Sequence, residues 1–459
     1  MDKVCFVIPS IGKKAYQDLA KTHSAIEPPT WALLLSNAVR KKNYEPILLD
    51  YEADYKPDEE AADEIESYKP KLVVFVLYGQ NPNSGTTMMI GASTLARQIK
   101  LSHPNLKIAF IGSHASALPS EVASQDYCDF AFINEGVIGL LDLLRTDLEN
   151  ELDKVPGMWY KDRGLIKPSA PGEIVKTVYM DELMPGYAWD LIDLKKYRAH
   201  FWHSNFSHEN RTPFAALYTS LGCSFGCNFC MINIVNRTSH NKDITSVDSK
   251  GMRFWSPELI LRELEYLYVQ GVRTCRITDE MFFLNKKYYV PILEGVIKRG
   301  MKFNFWAYAR VDSVRKDQLE LFKEAGVNFL VNYMFGFPEE NYENMQETLD
   351  LALELNTEHA NFYAAMALPG SPLHLYARQQ GWDIPKRFEE YAFLSYDCRP
   401  LRTKYLTGAE VLRFRDEAWH KYFTHKPFLD LVEKKFGIES RNNVVELEKI
   451  KLTRKILGD

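Results

Sequence analysis

Three of the seven cysteines, Cys223, Cys227 and Cys230, lie in the string CSFGCNFC, a C-x3-C-x2-C pattern. Three thiolates at this spacing can reach three irons of one 4Fe-4S cube and leave the fourth iron open. A zinc site normally takes four ligands. His240 is a possible fourth, but its spacing fits no usual zinc pattern, so an iron–sulfur cluster is favoured over zinc or buried free thiols. Gly226 is expected to let the loop turn tightly, since glycine accepts backbone angles that other residues avoid. Cys5, Cys128, Cys275 and Cys398 are isolated and read as small core residues. An odd, sparse cysteine count argues against a disulfide framework and for a reducing cytoplasm.

A loop that presents three thiolates must be carried by rigid elements. Phe214 to Thr219 reads as a strand leading into the cysteines. Ser256-Pro257-Glu258 opens a helix with an N-cap serine and a first-turn proline, and Gly271 follows its end. Strand signals follow at Arg273 to Thr278, Phe303 to Ala307, Asn328 to Phe335 and Ala360 to Leu368, with helical patterns at Leu319 to Ala325 and Met345 to Leu355. This is a run of βα units of barrel type, with special residues at strand C-termini. The first ~150 residues also alternate strand and helix, as a doubly wound parallel sheet does. There the polar segments Tyr78-Gly79-Gln80-Asn81, Gly112-Ser113-His114 and Asn134-Glu135-Gly136 fall at strand ends, where such sheets bind ligands. No G-x-G-x-x-G or G-x-x-x-x-G-K phosphate fingerprint accompanies them.

At this point the sequence resembles the radical S-adenosylmethionine (SAM) superfamily, and within it the branch with an N-terminal cobalamin-binding domain. The resemblance covers roughly residues 1–380. Its most specific motif is CSFGCNFC. The segments PPTWALLLSNAVRKKNYEPILLD (28–50), GSHASALPSE (112–121) and INEGVIGLLDLL (133–144) resemble the branch's N-terminal domain. The resemblance implies that Cys223, Cys227 and Cys230 hold a 4Fe-4S cluster and that SAM binds the fourth iron. One electron then cleaves SAM to a 5′-deoxyadenosyl radical. It implies that Phe229 packs on the adenine and that Asp279, Glu280 and Arg310 line the SAM pocket, although capping or salt-bridge roles are the alternative. Gly336-Phe337-Pro338 and Pro369-Gly370-Ser371-Pro372 match later strand-end turns. Cobalamin is implied at the sheet's C-terminal edge, near Gly79, Gln80, Ser113, His114 and Glu135; for His114 a structural hydrogen bond is an equal alternative. The D-x-H-x-x-G cobalt-ligand motif is absent. One departure stands out: Ala325 to Leu330 runs directly into Val331 to Gly336, so one βα unit is expected to be missing from the barrel.

The expected architecture is therefore α/β: a Rossmann-like cobalamin-binding domain (1–150), a connector (151–210), a partial radical SAM barrel (211–380) and a C-terminal helical region (381–459). The leading function is a cobalamin-dependent radical SAM methyltransferase acting on an unactivated carbon of a small molecule. Cyclisation or rearrangement with the same cofactors is the first alternative. A non-catalytic cobalamin- or cluster-binding protein is the second, and a zinc protein a distant one. An electron donor such as flavodoxin or ferredoxin is implied. A net charge of −5 gives no bulk electrostatic case for nucleic acid. Apolar runs fall short of the ~20 residues of a membrane span, and the N-terminal segment lacks a signal-peptide pattern. Trp202, Phe206, Trp306, Tyr308 and Tyr363 could line a cavity, but core packing is the stronger expectation. His203 and His208 could face it or be ordinary surface residues. Lys451, Arg454 and Lys455 are expected to form a solvated face.

Overall fold

Apolar runs near the N-terminus become strands of one sheet in the computed structural model, which describes residues 1–310 and 312–459. The strands β1 (Lys3–Ile8), β2 (Glu45–Asp50), β3 (Leu72–Leu77), β4 (Ile108–Gly112) and β5 (Phe130–Phe132) pair in parallel in the order β2-β1-β3-β4-β5. Every residue of β3, β4 and β5 is buried, as expected for strands covered on both faces by helices. Two antiparallel strands, β6 (Met158–Asp162) and β7 (Leu165–Pro168), extend the far edge. The start of the expected connector thus joins this sheet. Strand order reverses direction between β1 and β3, and the crevice beyond the strand ends at such a point is where open α/β sheets take ligands.

In the second half, β8 (Phe214–Leu217) runs almost directly into β9 (Ser220–Cys223), which forms an antiparallel hairpin with β10 (Gly251–Phe254). The strands β11 (Thr274–Ile277), β12 (Asn304–Ala307) and β13 (Val327–Phe329) join β8 in a parallel sheet of order β13-β12-β11-β8. The helix Pro257–Val269 connects the hairpin to β11; the Ser256 side chain accepts from the Leu259 N–H and caps it. A separate parallel pair follows, β14 (Val331–Phe335) and β15 (Ala360–Ala364). The expected shortening falls between β13 and β14. Both strands are present, only Leu330 separates them, and no helix crosses between. The two strands belong to different sheets among the described residues.

The C-terminal region is helical, over Gly408–Phe423, Lys426–Phe436 and Ile438–Glu448. Its apolar side joins Phe201, Phe206, Phe335 and Phe362 in a second core. The tail folds back onto the molecule: Lys451 and Lys455 are exposed, as expected of a solvated face, but Arg454 is not. Arg454 is fully buried; its Nε and Nη2 bond Asp416 at 3.0 and 3.1 Å, and its Nη1 donates to the carbonyls of Phe393 and Ser395. No helix among the described residues is long and apolar enough to cross a membrane.

Candidate functional site

The cysteine loop is built from both ends. β9 delivers Cys223, whose backbone N–H donates to Asn233 Oδ1 at 2.6 Å, while Asn233 Nδ2 donates to the Phe225 carbonyl at 3.1 Å. One side chain therefore spans the turn. Ser246 Oγ bonds the Cys230 carbonyl at 2.5 Å, and the Leu373 N–H bonds the Asn228 carbonyl at 2.8 Å. Gly222 sits at φ +82°, and a Cβ there would strike the Gly251 carbonyl and the Asn236 amide. Gly226, singled out in the sequence, has an ordinary φ and packs near Val247 and Lys250 instead. The first loop of the other sheet also reaches in: Asn83, just past β3, accepts from the Met231 N–H at 2.9 Å and lies 3.6 Å from Cys230 Sγ.

All seven cysteines are free. Burial pushes the Cys230 thiol up to about 12 and raises that of Cys223. Among the described residues no three His, Cys, Asp or Glu side chains converge on a single metal-ion position. His240 is engaged elsewhere, its Nε2 on the Ala170 carbonyl at 2.8 Å. Cys5, Cys128, Cys275 and Cys398 are buried core residues.

Cys223, Cys227 and Cys230 all open on one cavity of about 890 Å³, at the upper end of the ~300–1,000 Å³ usual for small-molecule sites. Its wall includes Phe229, Glu280 and Arg310 from the barrel and Gly79 and Gln80 from the first sheet. Trp202, Phe206, Tyr308 and Tyr363 also line it, whereas Trp306 stays behind, its indole N–H on the His203 carbonyl at 2.7 Å. His203 is buried and His208 exposed, neither on the wall. C-terminal residues from Leu447 to Leu457, Lys451 among them, close one side.

Four of the sequence-predicted site residues stand behind that wall. Asp279 accepts from the Thr219 N–H (2.5 Å), Thr219 Oγ1 (2.6 Å) and Ser220 Oγ (2.5 Å), fixing the entry into β9; burial raises its carboxyl to about 6. Ser113 Oγ donates to the Pro82 carbonyl at 2.5 Å. His114 Nδ1 meets Thr86 Oγ1 at 3.0 Å, and burial lowers its imidazole to about 4. Glu135 pairs with Arg253 of β10 and accepts from the Val175 N–H at 2.6 Å, tying the first sheet to the cysteine hairpin.

On the wall, Arg310 Nη1 lies 3.8 Å from Cys227 Sγ and its guanidinium sits 4.1 Å from the Phe225 ring centre. Its ion pair with Asp312 raises its pKa. Burial pushes Glu280 up to about 7 against the pull of Arg276, and its Oε1 has no partner. Arg276 itself was not foreseen. It projects from β11, pairs with Glu27 at 2.6 Å and donates to the Gln80 carbonyl at 2.5 Å. A charged residue inside an apolar strand was the readable signal for it.

Residues 217–330 match the family model of the Radical SAM superfamily. That segment contains the cysteine loop and β11 to β13 and ends at Leu330, where β13 meets β14. Residues 217–330 therefore form a domain similar to that superfamily, joined here to an N-terminal parallel sheet. The chain is 22% identical over 454 residues to an uncharacterized methyltransferase of Pyrococcus horikoshii, covering 88% of this chain and 91% of that protein. It is 21% identical over 442 residues to an anaerobic magnesium-protoporphyrin IX monomethyl ester cyclase of Cereibacter sphaeroides, covering 84% of this chain and 65% of that one. Among solved structures it shares its fold with TsrM of Kitasatospora setae, a radical S-adenosylmethionine methyltransferase. With tryptophan and the SAM analogue aza-SAM bound, TsrM superposes at a TM-score of 0.62 and 15% identity, over 98% of this chain and 99% of that one. With cobalamin and a [4Fe-4S] cluster bound, the TM-score is 0.56 at 16% identity, over 83% and 75%.

Proposed function

We propose that the chain is a cobalamin-dependent radical SAM methyltransferase acting on a small molecule at an unactivated carbon. The observation that carries this is one continuous cavity running from the three-thiol loop to the crevice between the β1 and β3 ends. Bound there, a 4Fe-4S cluster supplies a low-potential electron for cleaving SAM, and cobalamin supplies a methyl carrier.

The residues fit these groups. Cys223, Cys227 and Cys230 are free and line the cavity together, as three ligands of one cluster would. The unpartnered Glu280 carboxylate oxygen suits the ammonium of SAM, and Arg310, beside Cys227, suits its carboxylate. Phe229 offers an apolar surface for adenine. Gly79 and Gln80 face the crevice that would hold cobalamin; Gly79 is at φ +59°, and a Cβ there would press on Ser84. Ser113, His114 and Glu135 support that edge from behind, and Asp279 holds the strand that presents Cys223. Trp202, Phe206, Tyr308 and Tyr363 give the substrate end an aromatic wall that keeps water from the reacting carbon. The outer face of the loop, at Ser224, Gly226 and Asn228, is exposed beside Lys250 and Arg310, where a flavodoxin or ferredoxin in a reducing cytoplasm could deliver electrons.

A cyclase is the second reading, favoured by the relatives that bear that name. The test is anaerobic turnover of reconstituted protein with reductant and SAM, with and without cobalamin. S-adenosylhomocysteine and 5′-deoxyadenosine that depend on cobalamin support methyl transfer. Deoxyadenosine without S-adenosylhomocysteine supports cyclisation, and no SAM consumption contradicts both.

A further inference from the structure

Glu27 lines the cavity and has no role in the function proposed above. It lies just before the helix Thr30–Lys41 in the connection that leaves the end of β1, while Gly79 and Gln80 lie in the loop that follows β3. These two segments flank the point where strand order reverses. Arg276 bridges them, pairing with Glu27 Oε2 at 2.6 Å and donating to the Gln80 carbonyl at 2.5 Å. The Arg276 and Glu27 side chains are only 3% and 7% exposed, so the carboxylate is held in one orientation. Its other oxygen, Oε1, is buried without a hydrogen-bond partner. The next two residues, Pro28 and Pro29, have no backbone N–H to offer it. A buried carboxylate oxygen left without a donor is costly, so a donor from a ligand is the economical solution.

We infer that Glu27 Oε1 accepts a hydrogen bond from an N–H of a corrin amide side chain, which makes Glu27 a cobalamin-recognition residue oriented by Arg276. The inference rests on the cobalamin reading of the crevice. A corrin ring is bordered by neutral primary amides, which are N–H donors, and a charged acceptor makes a stronger bond to them than a neutral one. Replacing the matching amide by a carboxylate would set two anions against each other in a buried site.

The test uses full-length wild-type and E27Q protein, both with reconstituted cluster. Each is titrated with hydroxocobalamin and with its monocarboxylate isomers, in which one amide has become a carboxylate, and binding is followed by tryptophan fluorescence. The readout is the ratio of each isomer's Kd to that of cobalamin for the same protein, which is independent of the fraction folded. Wild type should bind one isomer weaker than cobalamin by on the order of tenfold or more. E27Q should bring that ratio close to one, because a glutamine amide can donate to the carboxylate. Ratios for every isomer that E27Q leaves unchanged, or a wild type that discriminates against none, would overturn the inference while leaving the cobalamin reading standing. Wild-type protein that binds no cobalamin contradicts both.

Discussion

At the residue scale the cysteines are legible because their chemistry is local: three ligands within eight residues must face one object. Cys223→Ala, Cys227→Ala and Cys230→Ala should each abolish the brown iron–sulfur absorbance of reconstituted protein; full iron retention in the triple variant would contradict the cluster. Asp279 shows a different relation between sequence and role. Its position after a strand marks it as special, but its two oxygens are spent on Thr219 and Ser220. Asp279→Ala leaves three donors unpaired around the start of β9, so a stability loss of about 1–3 kcal/mol is expected, with lower iron loading at unchanged cysteine content. Urea melts and iron analysis check it. Glu27 and Arg276 were not legible as a pair, because they meet only when the sheet and the barrel are docked.

At the element scale the hairpin of β9 and β10 decides how the thiols are presented. Gly222→Ala puts a methyl group against the Gly251 carbonyl at a backbone angle that alanine resists. It should cost a few kcal/mol and reduce cluster content more than it changes overall helicity, which circular dichroism and iron analysis together resolve. Asn83→Ala removes the contact from the first sheet to the loop. Faster loss of iron to a chelator is expected, with little change in melting temperature. Strands of both sheets were readable from apolar runs ending in Gly or polar residues, since burial on both faces demands that pattern. The direct passage from β13 to β14 was readable in the unbroken run from Ala325 to Gly336. That both strands survive in separate sheets was not, because sheet membership depends on partners distant in sequence. The helical tail was legible by its capping box at Thr407 and Glu410. The burial of Arg454 was not, because Asp416 lies on the helix Gly408–Phe423, far from it in sequence.

At the scale of the whole molecule, burial sets a pH profile for the cofactor-free protein. Burial raises Asp50, Glu263 and Glu280 to about 7 and Asp279 to about 6. The folded state thus keeps protons that the unfolded chain releases near pH 4, and stability is lost as pH rises through those values. Burial lowers His23, His114 and His374 to about 4 and His359 to about 3, so stability is lost as pH falls below the unfolded value near 6.5. Between about pH 4.5 and 6 the two sets oppose each other, whereas above about pH 6.5 only the carboxylates still titrate. Melting temperature should therefore fall from about pH 6.5 to 7.5, and Glu280→Gln should reduce that fall; a melting temperature still climbing at pH 8 would contradict this. The larger claim is that one cavity unites the cysteine loop with the switch-point crevice of the first sheet. Electron paramagnetic resonance of partly reduced protein carrying cluster and cob(II)alamin tests it most directly. The account predicts a cob(II)alamin signal broadened by magnetic interaction with the reduced cluster and restored to its isolated shape in the triple cysteine variant. Two independent, unperturbed signals from fully loaded protein would contradict it.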